Sequence, residues 1–290
     1  MLKSVFIYTC LLAAFLTFVL FSSYQLPMSE SKQKQTVNSA TQLPQQIRSV
    51  DLNKSFDFAA ESLPMDNFDV RERLEREILR NSYYHSNTLL VLKRAKRYFP
   101  VIERILAENG MPDDLKYLAV TESDLTMAVS PAGAKGIWQF MKGTGKEYGL
   151  EVNSGIDERY HLEKSTKAAC TYLKKLKAKF GSWSLAAAAY NMGGNKLNSE
   201  MGKQRADSYF DLNLNQETMR YFFRIIAIKE IMSNPEQFGF YLNEDEKYPE
   251  LEFANVRVEK TIENLGDFAR QNGISYRMLK LYNPWLVSGS

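Results

Sequence analysis

Residues 112–140 read PDDLKYLAVTESDLTMAVSPAGAKGIWQF. Pro112 and the acids Asp113 and Asp114 suit the first turn of a helix, where a missing N–H costs little and negative charge meets the helix dipole. Leu115, Leu118 and Ala119 mark an apolar stripe, and the next position on it, seven residues from Leu115, is Glu122. A carboxylate there faces the interior or a cleft, where burial raises its pKa. A carboxyl that keeps its proton near neutral pH is what a general acid requires. The competing reading is a helix-end glutamate that the turn into Ser123-Asp124 returns to solvent. Downstream, the small-residue loop from Ser130 to Gly136 lets backbone approach a ligand closely. Trp138-Gln139 then sets an aromatic face, which suits a sugar ring, beside an amide, which suits hydroxyl or acetamido groups. Taken alone, Trp138 reads more simply as core and Gln139 as an exposed helix residue.

Helical spacing continues on both sides. Val70, Leu74, Ile78 and Leu79 share a face, and Leu89, Leu90, Leu92, Ile102, Ile105 and Leu106 lead up to Asn109-Gly110. Ser165-Thr166 opens a helix running to Phe180. Trp183 to Tyr190 is alanine-rich and closes at Asn191-Met192-Gly193-Gly194, and Gln216 to Met232 makes a last long helix before Pro235. No strand pair is expected between 66 and 240, so the spacing predicts an all-α domain over residues 66–245. Beyond Tyr248, Phe253 to Val258 alternates like a short strand, and Leu265–Gln271 and Ile274–Tyr282 read as short helices. This small α+β segment, residues 250–290, is near the lower size limit for independent stability.

The amino-terminal end reads as an address. No charged side chain occurs from Ser4 to Ser29, and Lys3 precedes the dense apolar run Val5–Phe21. Residues 1–28 are therefore expected to be a signal peptide or membrane anchor. The expected location is the periplasm or cell envelope, with any membrane contact made through residues 5–21. Residues 29–65 begin as a polar, non-periodic stretch and are expected to form a flexible linker.

Composition narrows the class further. With 44% apolar and 24% charged residues in 290, disorder throughout, collagen-like repeats and a multi-span membrane protein are excluded. Cys10 lies in the leader and Cys170 reads as a small apolar helix residue, so no disulfide is expected. His85 and His161 are too far apart in sequence to suggest a histidine metal site. A net charge of +3 does not by itself suggest nucleic acid. The lysines from Lys164 to Lys179 read as a solvated helix face. Gly143-Thr-Gly145-Lys146 lacks the earlier glycine and the following Ser/Thr of a P-loop.

Glu122-Ser123, Ser130-x-x-Gly133-Ala134-x-Gly136-x-Trp138-Gln139, Ala189-Tyr190-Asn191 and Glu217-Thr218-x-x-Tyr221 occur in that order within the helical domain. The set resembles the lytic transglycosylases with a goose-lysozyme-type catalytic domain, most similarly their membrane-bound type D branch. The resemblance implies an all-α, goose-type lysozyme-like fold. It also implies cleavage of the β-1,4 bond between N-acetylmuramic acid and N-acetylglucosamine in peptidoglycan glycan strands, with a 1,6-anhydro product. By motif, Glu122 corresponds to the single catalytic acid/base. Ser123, Ser130, Gln139, Tyr190, Asn191 and Tyr221 correspond to residues that support the site or contact the glycan. No metal or organic cofactor, no nucleic acid partner and a monomer are expected. Ordinary glycosidases use two carboxylates. Here Asp124 points elsewhere on its helix, and Asp157 beside Arg159 reads as a local ion pair holding a loop. Two alternatives stay open, a hydrolytic muramidase on the same fold and a catalytically silent wall-binding protein. Residues 250–290 resemble a degenerate LysM module, without the usual Gly-Asp turn and ending just after Pro284-Trp285-Leu286, where a closing strand would be expected. That departure favours packing on the catalytic domain over glycan binding.

Overall fold

In a computed structural model, which describes residues 48–288, the chain joins its folded body earlier than composition suggests. β1 (Asp57–Phe58) and β2 (Glu61–Ser62) pair as an antiparallel hairpin, turned by left-handed Ala59 and Ala60. Leu52, Phe56, Phe58 and Leu63 are buried around it, and the Phe58 ring meets Phe222 edge-on at 5.5 Å between centroids. Residues 49–65, assigned by sequence to the linker, are thus packed on the body. Their apolar side chains are too irregularly spaced to give a periodic signal, yet Leu52, Phe56, Phe58 and Leu63 all reach the core. The leader, Cys10 and the linker up to residue 47 lie outside the described residues.

The helices follow the expected stripes. α1 (Phe68–Ser82) is capped by Asn67, whose side chain accepts the Asp69 N–H, and buries Val70, Leu74 and Ile78. α2 (His85–Glu108) ends at Asn109, followed by left-handed Gly110. A 3₁₀ turn, Asp113–Leu115, feeds α3 (Lys116–Ser123). Then come α4 (Lys142–Glu147), α5 (Leu162–Phe180), α6 (Trp183–Met192), α7 (Gly194–Gln204) and α8 (Gln216–Ser233). α8 is buried on nearly every side: Tyr221, Phe222, Phe223, Ile225, Ile226 and Ala227 are all in the core, as befits a central helix. α1, α3 and α6 all pack against it, and α6 also packs on α5. The alanines Ala186 to Ala189 permit that close approach.

Three expectations need correction. α5 starts at Leu162, because the hydroxyls of Ser165 and Thr166 bond back to the His161 and Leu162 carbonyls, each at 2.7 Å, instead of capping. α4, which has no large apolar residue, and α7, whose apolar residues are Leu197 and Met201 alone, were not expected. Phe253–Val258 is exposed and forms no strand, since among the described residues no neighbouring strand takes up its backbone groups. The later elements α9 (Leu265–Gln271) and α10 (Tyr276–Tyr282) form as expected, capped by Asn264 and Ser275.

Phe58→Ala is expected to destabilise the body by about 3–5 kcal/mol, read by urea denaturation. A flexible linker at this position would leave the midpoint unchanged.

Candidate active site

α3 delivers Glu122 one residue before its end. The helix stops because Asp124 and Leu125 both turn left-handed, at φ 52° and 56°. Non-glycine residues adopt that conformation only when their surroundings hold them in it. Arg94 of α2 does part of this, donating to the Asp124 carbonyl. The abrupt stop leaves Glu122 half-buried beside α8, where the Tyr221 hydroxyl donates to its Oε1. Burial pushes the Glu122 carboxyl up to about 7. The Tyr221 hydrogen bond and the Arg224 charge oppose this rise, while Glu217 adds to it. Burial and the Glu122 charge likewise keep the Tyr221 and Tyr190 phenols well above their ordinary range, so both remain donors.

The loop from Ala128 to Phe140 lies next to this carboxyl and is held by its own hydrogen bonds. Ser130 Oγ accepts the Ala134 N–H at 3.0 Å, and its backbone exchanges bonds with Ala134 and Gly133. Gln139, left-handed at φ 48°, donates through Nε2 to the carbonyls of Gly136 (2.8 Å) and Ala128 (3.1 Å). Three outside groups then fasten the loop. Ser123 Oγ donates to the Ile137 carbonyl at 2.9 Å, the Tyr190 hydroxyl to the Trp138 carbonyl at 2.7 Å, and Arg159 Nη1 to the Gly133 and Phe140 carbonyls. Ser123 is buried with its hydroxyl so engaged, which makes it a brace for the loop. Trp138 is completely buried, its Nε1 donating to Thr166 Oγ1 at 2.8 Å; it is core, and no sugar stacks on it.

Asn191 closes α6 beside the same helix. Its Oδ1 accepts from Thr218 Oγ1, which in turn accepts from Asn215 Nδ2, both at 2.8 Å. This relay fixes the Asn191 amide with its Nδ2 turned away from Thr218. Glu122, Tyr190, Asn191 and Tyr221 thus come together where α3 and α6 meet α8, with Ser130 and Gln139 on the adjoining loop.

Other carboxylates are committed elsewhere. Burial pushes the Asp157 carboxyl up, but its two-point pairing with Arg159 and the nearby Lys135 outweigh that and hold it below the usual range. Glu158 accepts the Glu151 N–H and pairs with Lys164. Glu77 of α1, fully buried, is held by Arg220 at 2.7 and 3.1 Å, with Arg224 at 3.9 Å. Sequence reasoning missed Glu77 and Arg224 and gave Thr218 no role beyond its place in a motif, whereas the Asp157–Arg159 ion pair it expected is present and holds a loop. Glu77 was within reach of the test that found Glu122, since it stands seven residues from Val70 on the buried stripe of α1.

Residues 99–213 match the Transglycosylase SLT domain and residues 254–290 the soluble lytic transglycosylase C-terminal LysM-like domain. The chain therefore carries an SLT transglycosylase domain followed by a LysM-like domain. It is homologous to the membrane-bound lytic murein transglycosylase D of Escherichia coli K12, 31% identical over 231 residues, covering 78% of this chain and 49% of that protein. The peptidoglycan transglycosylase gp16 of Escherichia phage T7 is 38% identical over 104 residues, 34% of this chain and 8% of the phage protein. The chain thus spans about half the length, or less, of these relatives. The crystal structure of the 70 kDa soluble lytic transglycosylase of Escherichia coli aligns with 50% of this chain and 26% of its own, at 21% identity and a TM-score of 0.42. The helical body agrees with the all-α domain that the sequence predicts, and the domain matches agree with the family that its motifs resemble.

The raised carboxyl has a stability consequence with a definite sign. Between pH 4.5 and about 7 the folded chain binds a proton at Glu122 that the unfolded chain releases, so the site's contribution to stability falls as pH rises through that window. Glu122→Gln, which cannot ionise, is expected to gain about 1–3 kcal/mol relative to the parent between pH 5 and pH 8. Urea denaturation of both proteins at the two pH values measures this difference; an unchanged difference would mean the carboxyl is not raised.

Proposed function

We propose that this chain is a peptidoglycan lytic transglycosylase of the cell envelope. It cleaves the β-1,4 bond between N-acetylmuramic acid and N-acetylglucosamine without water, with Glu122 as the single general acid/base. The observation that carries this reading is the Glu122–Tyr221 contact: a half-buried carboxyl, up at about 7, steadied by a phenol from another helix. The SLT and LysM-like matches and the similarity to a murein transglycosylase support the substrate class and the envelope location.

In this reading Glu122 gives its proton to the glycosidic oxygen as the bond to C1 of muramic acid breaks. The acetamido group of the same sugar supports the cationic centre, a substrate-assisted route that needs no second carboxylate. Glu122, now a carboxylate, takes the proton of the 6-hydroxyl, whose oxygen closes on C1 to give the 1,6-anhydro ring. The acid ends protonated, as it began. Tyr221 orients the carboxyl throughout. Asn191 offers Nδ2 to a glycan acceptor, and Gln139 offers its amide oxygen to a glycan donor. Ser130 shapes the loop that the sugar passes, Tyr190 holds that loop to α6, and Ser123 ties it to the catalytic helix.

A hydrolytic muramidase would need a carboxylate to hold water. Asp157 and Glu158 are engaged by cations, which leaves exposed Glu217, whose charge Glu122 feels, as that reading's candidate. Product chemistry separates the two. Incubation with purified peptidoglycan, followed by mass spectrometry, is expected to give anhydromuramic ends, lost by at least about a hundredfold in Glu122→Gln. Reducing ends would establish the hydrolase, and wall binding without release the silent protein.

Tyr221→Phe supplies a second check. The lost hydrogen bond favoured the charged carboxyl, so the alkaline limb of the kcat/KM profile is expected to move to higher pH while kcat falls. A profile that keeps its limb would detach Tyr221 from the acid.

A further inference from the structure

The LysM-like segment touches the catalytic body through its last residues. Leu286 belongs to that segment's own small core with Leu265, Ala269 and Leu279. It also bridges Ile156 of the catalytic body in antiparallel fashion. On either side, the Asp157 N–H donates to the Trp285 carbonyl at 2.9 Å and the Val287 N–H to the Gly155 carbonyl at 2.9 Å. The Trp285 ring stacks on His161, with centroids 4.2 Å apart and planes at 25°. The residues expected from sequence to lead into a closing strand therefore pair with the catalytic domain.

Asp157 faces both ways. Its backbone holds Trp285, while its carboxylate grips Arg159 at 2.8 and 2.7 Å. Arg159 in turn holds the Gly133 carbonyl, within the loop that carries Gln139, at 3.0 Å and the Phe140 carbonyl, at its end, at 3.1 Å. The fit behind it leaves no slack: a Cβ on Gly136 would lie 1.9 Å from the Arg159 carbonyl oxygen. Bidentate pairs of this kind transmit position because their geometry is fixed.

We propose that Trp285 is a positioning residue for the active-site loop, with Asp157 and Arg159 as its relay. The LysM-like segment then serves as a brace for residues 130–140, whatever glycan it also meets. Its catalytic consequence rests on the transglycosylase reading; its structural consequence does not, and the test separates them. In the full chain, Trp285→Ala is expected to speed hydrogen exchange of the amides from Ser130 to Gln139 about tenfold, with α1 and α8 unchanged. Trp285→Phe, which keeps a ring on His161, is expected to restore protection. His161→Ala, which removes the stack from the other side, is expected to reproduce the loss if Trp285→Ala proves too unstable to study. Unchanged exchange in the loop, in both the Trp285→Ala and His161→Ala proteins, would overturn the proposal even if the chain proved not to be a transglycosylase.

Activity adds a second arm. On a short soluble glycan too small to reach the LysM-like segment, Trp285→Ala is expected to lower kcat by about five- to tenfold. A loss seen only on intact sacculi, with the short substrate unaffected, would assign Trp285 to glycan capture and overturn the brace.

Discussion

Two adjacent residues of α8 determine how the surrounding helices are used. Arg220 and Tyr221 project about 100° apart around the helix, and each meets a carboxylate from a different neighbour. Arg220 takes Glu77 of α1 in a two-point ion pair, and Tyr221 takes Glu122 of α3. The first pairing balances a fully buried charge, and breaking such a pair costs several kcal/mol. The second sets a neutral donor against an acid, which can then exchange its proton. A structural carboxylate and the proposed acid thus meet the same helix, and what separates them is the partner each is given.

The loop beside Glu122 depends on that frame. It has little regular structure, and its reach into the site comes from left-handed backbone at Gly133, Gly136 and Gln139. Such a segment keeps its shape only if its carbonyls are tied. Ser123, Tyr190 and Arg159 tie them from α3, α6 and the 155–160 segment. Residues named for substrate contact by motif therefore divide: Ser123 holds the loop, whereas Asn191 and Gln139 keep an amide group available. Motif correspondence fixes where a residue sits in the chain, and only the hydrogen-bond partners reveal which of its atoms are still free.

Much of this was legible in the sequence. Glu122 stood out because it broke an apolar stripe, and the long helices showed their periods. Glu77 broke its stripe in the same way, but a one-dimensional pattern cannot tell a carboxylate awaiting a guanidinium from one awaiting a phenol. The hairpin around Phe58 escaped notice because its core residues owe their burial to α8, more than a hundred residues away. The supposed strand at Phe253–Val258 had the alternation but not the neighbour, and a strand is made by its neighbour. Trp138 was open to either reading; its indole N–H found Thr166 in the interior, and that partner lay outside any local window.

The alanines of α6 carry a further implication. Ala186 to Ala189 sit between α5 and α8, immediately before Tyr190 and Asn191, and each is almost wholly enclosed. The spacing between α6 and α8 is therefore set by methyl groups. A lineage that enlarged one of them would push α6 away from α8 and separate Asn191 from Thr218, displacing a candidate site residue without altering any polar group.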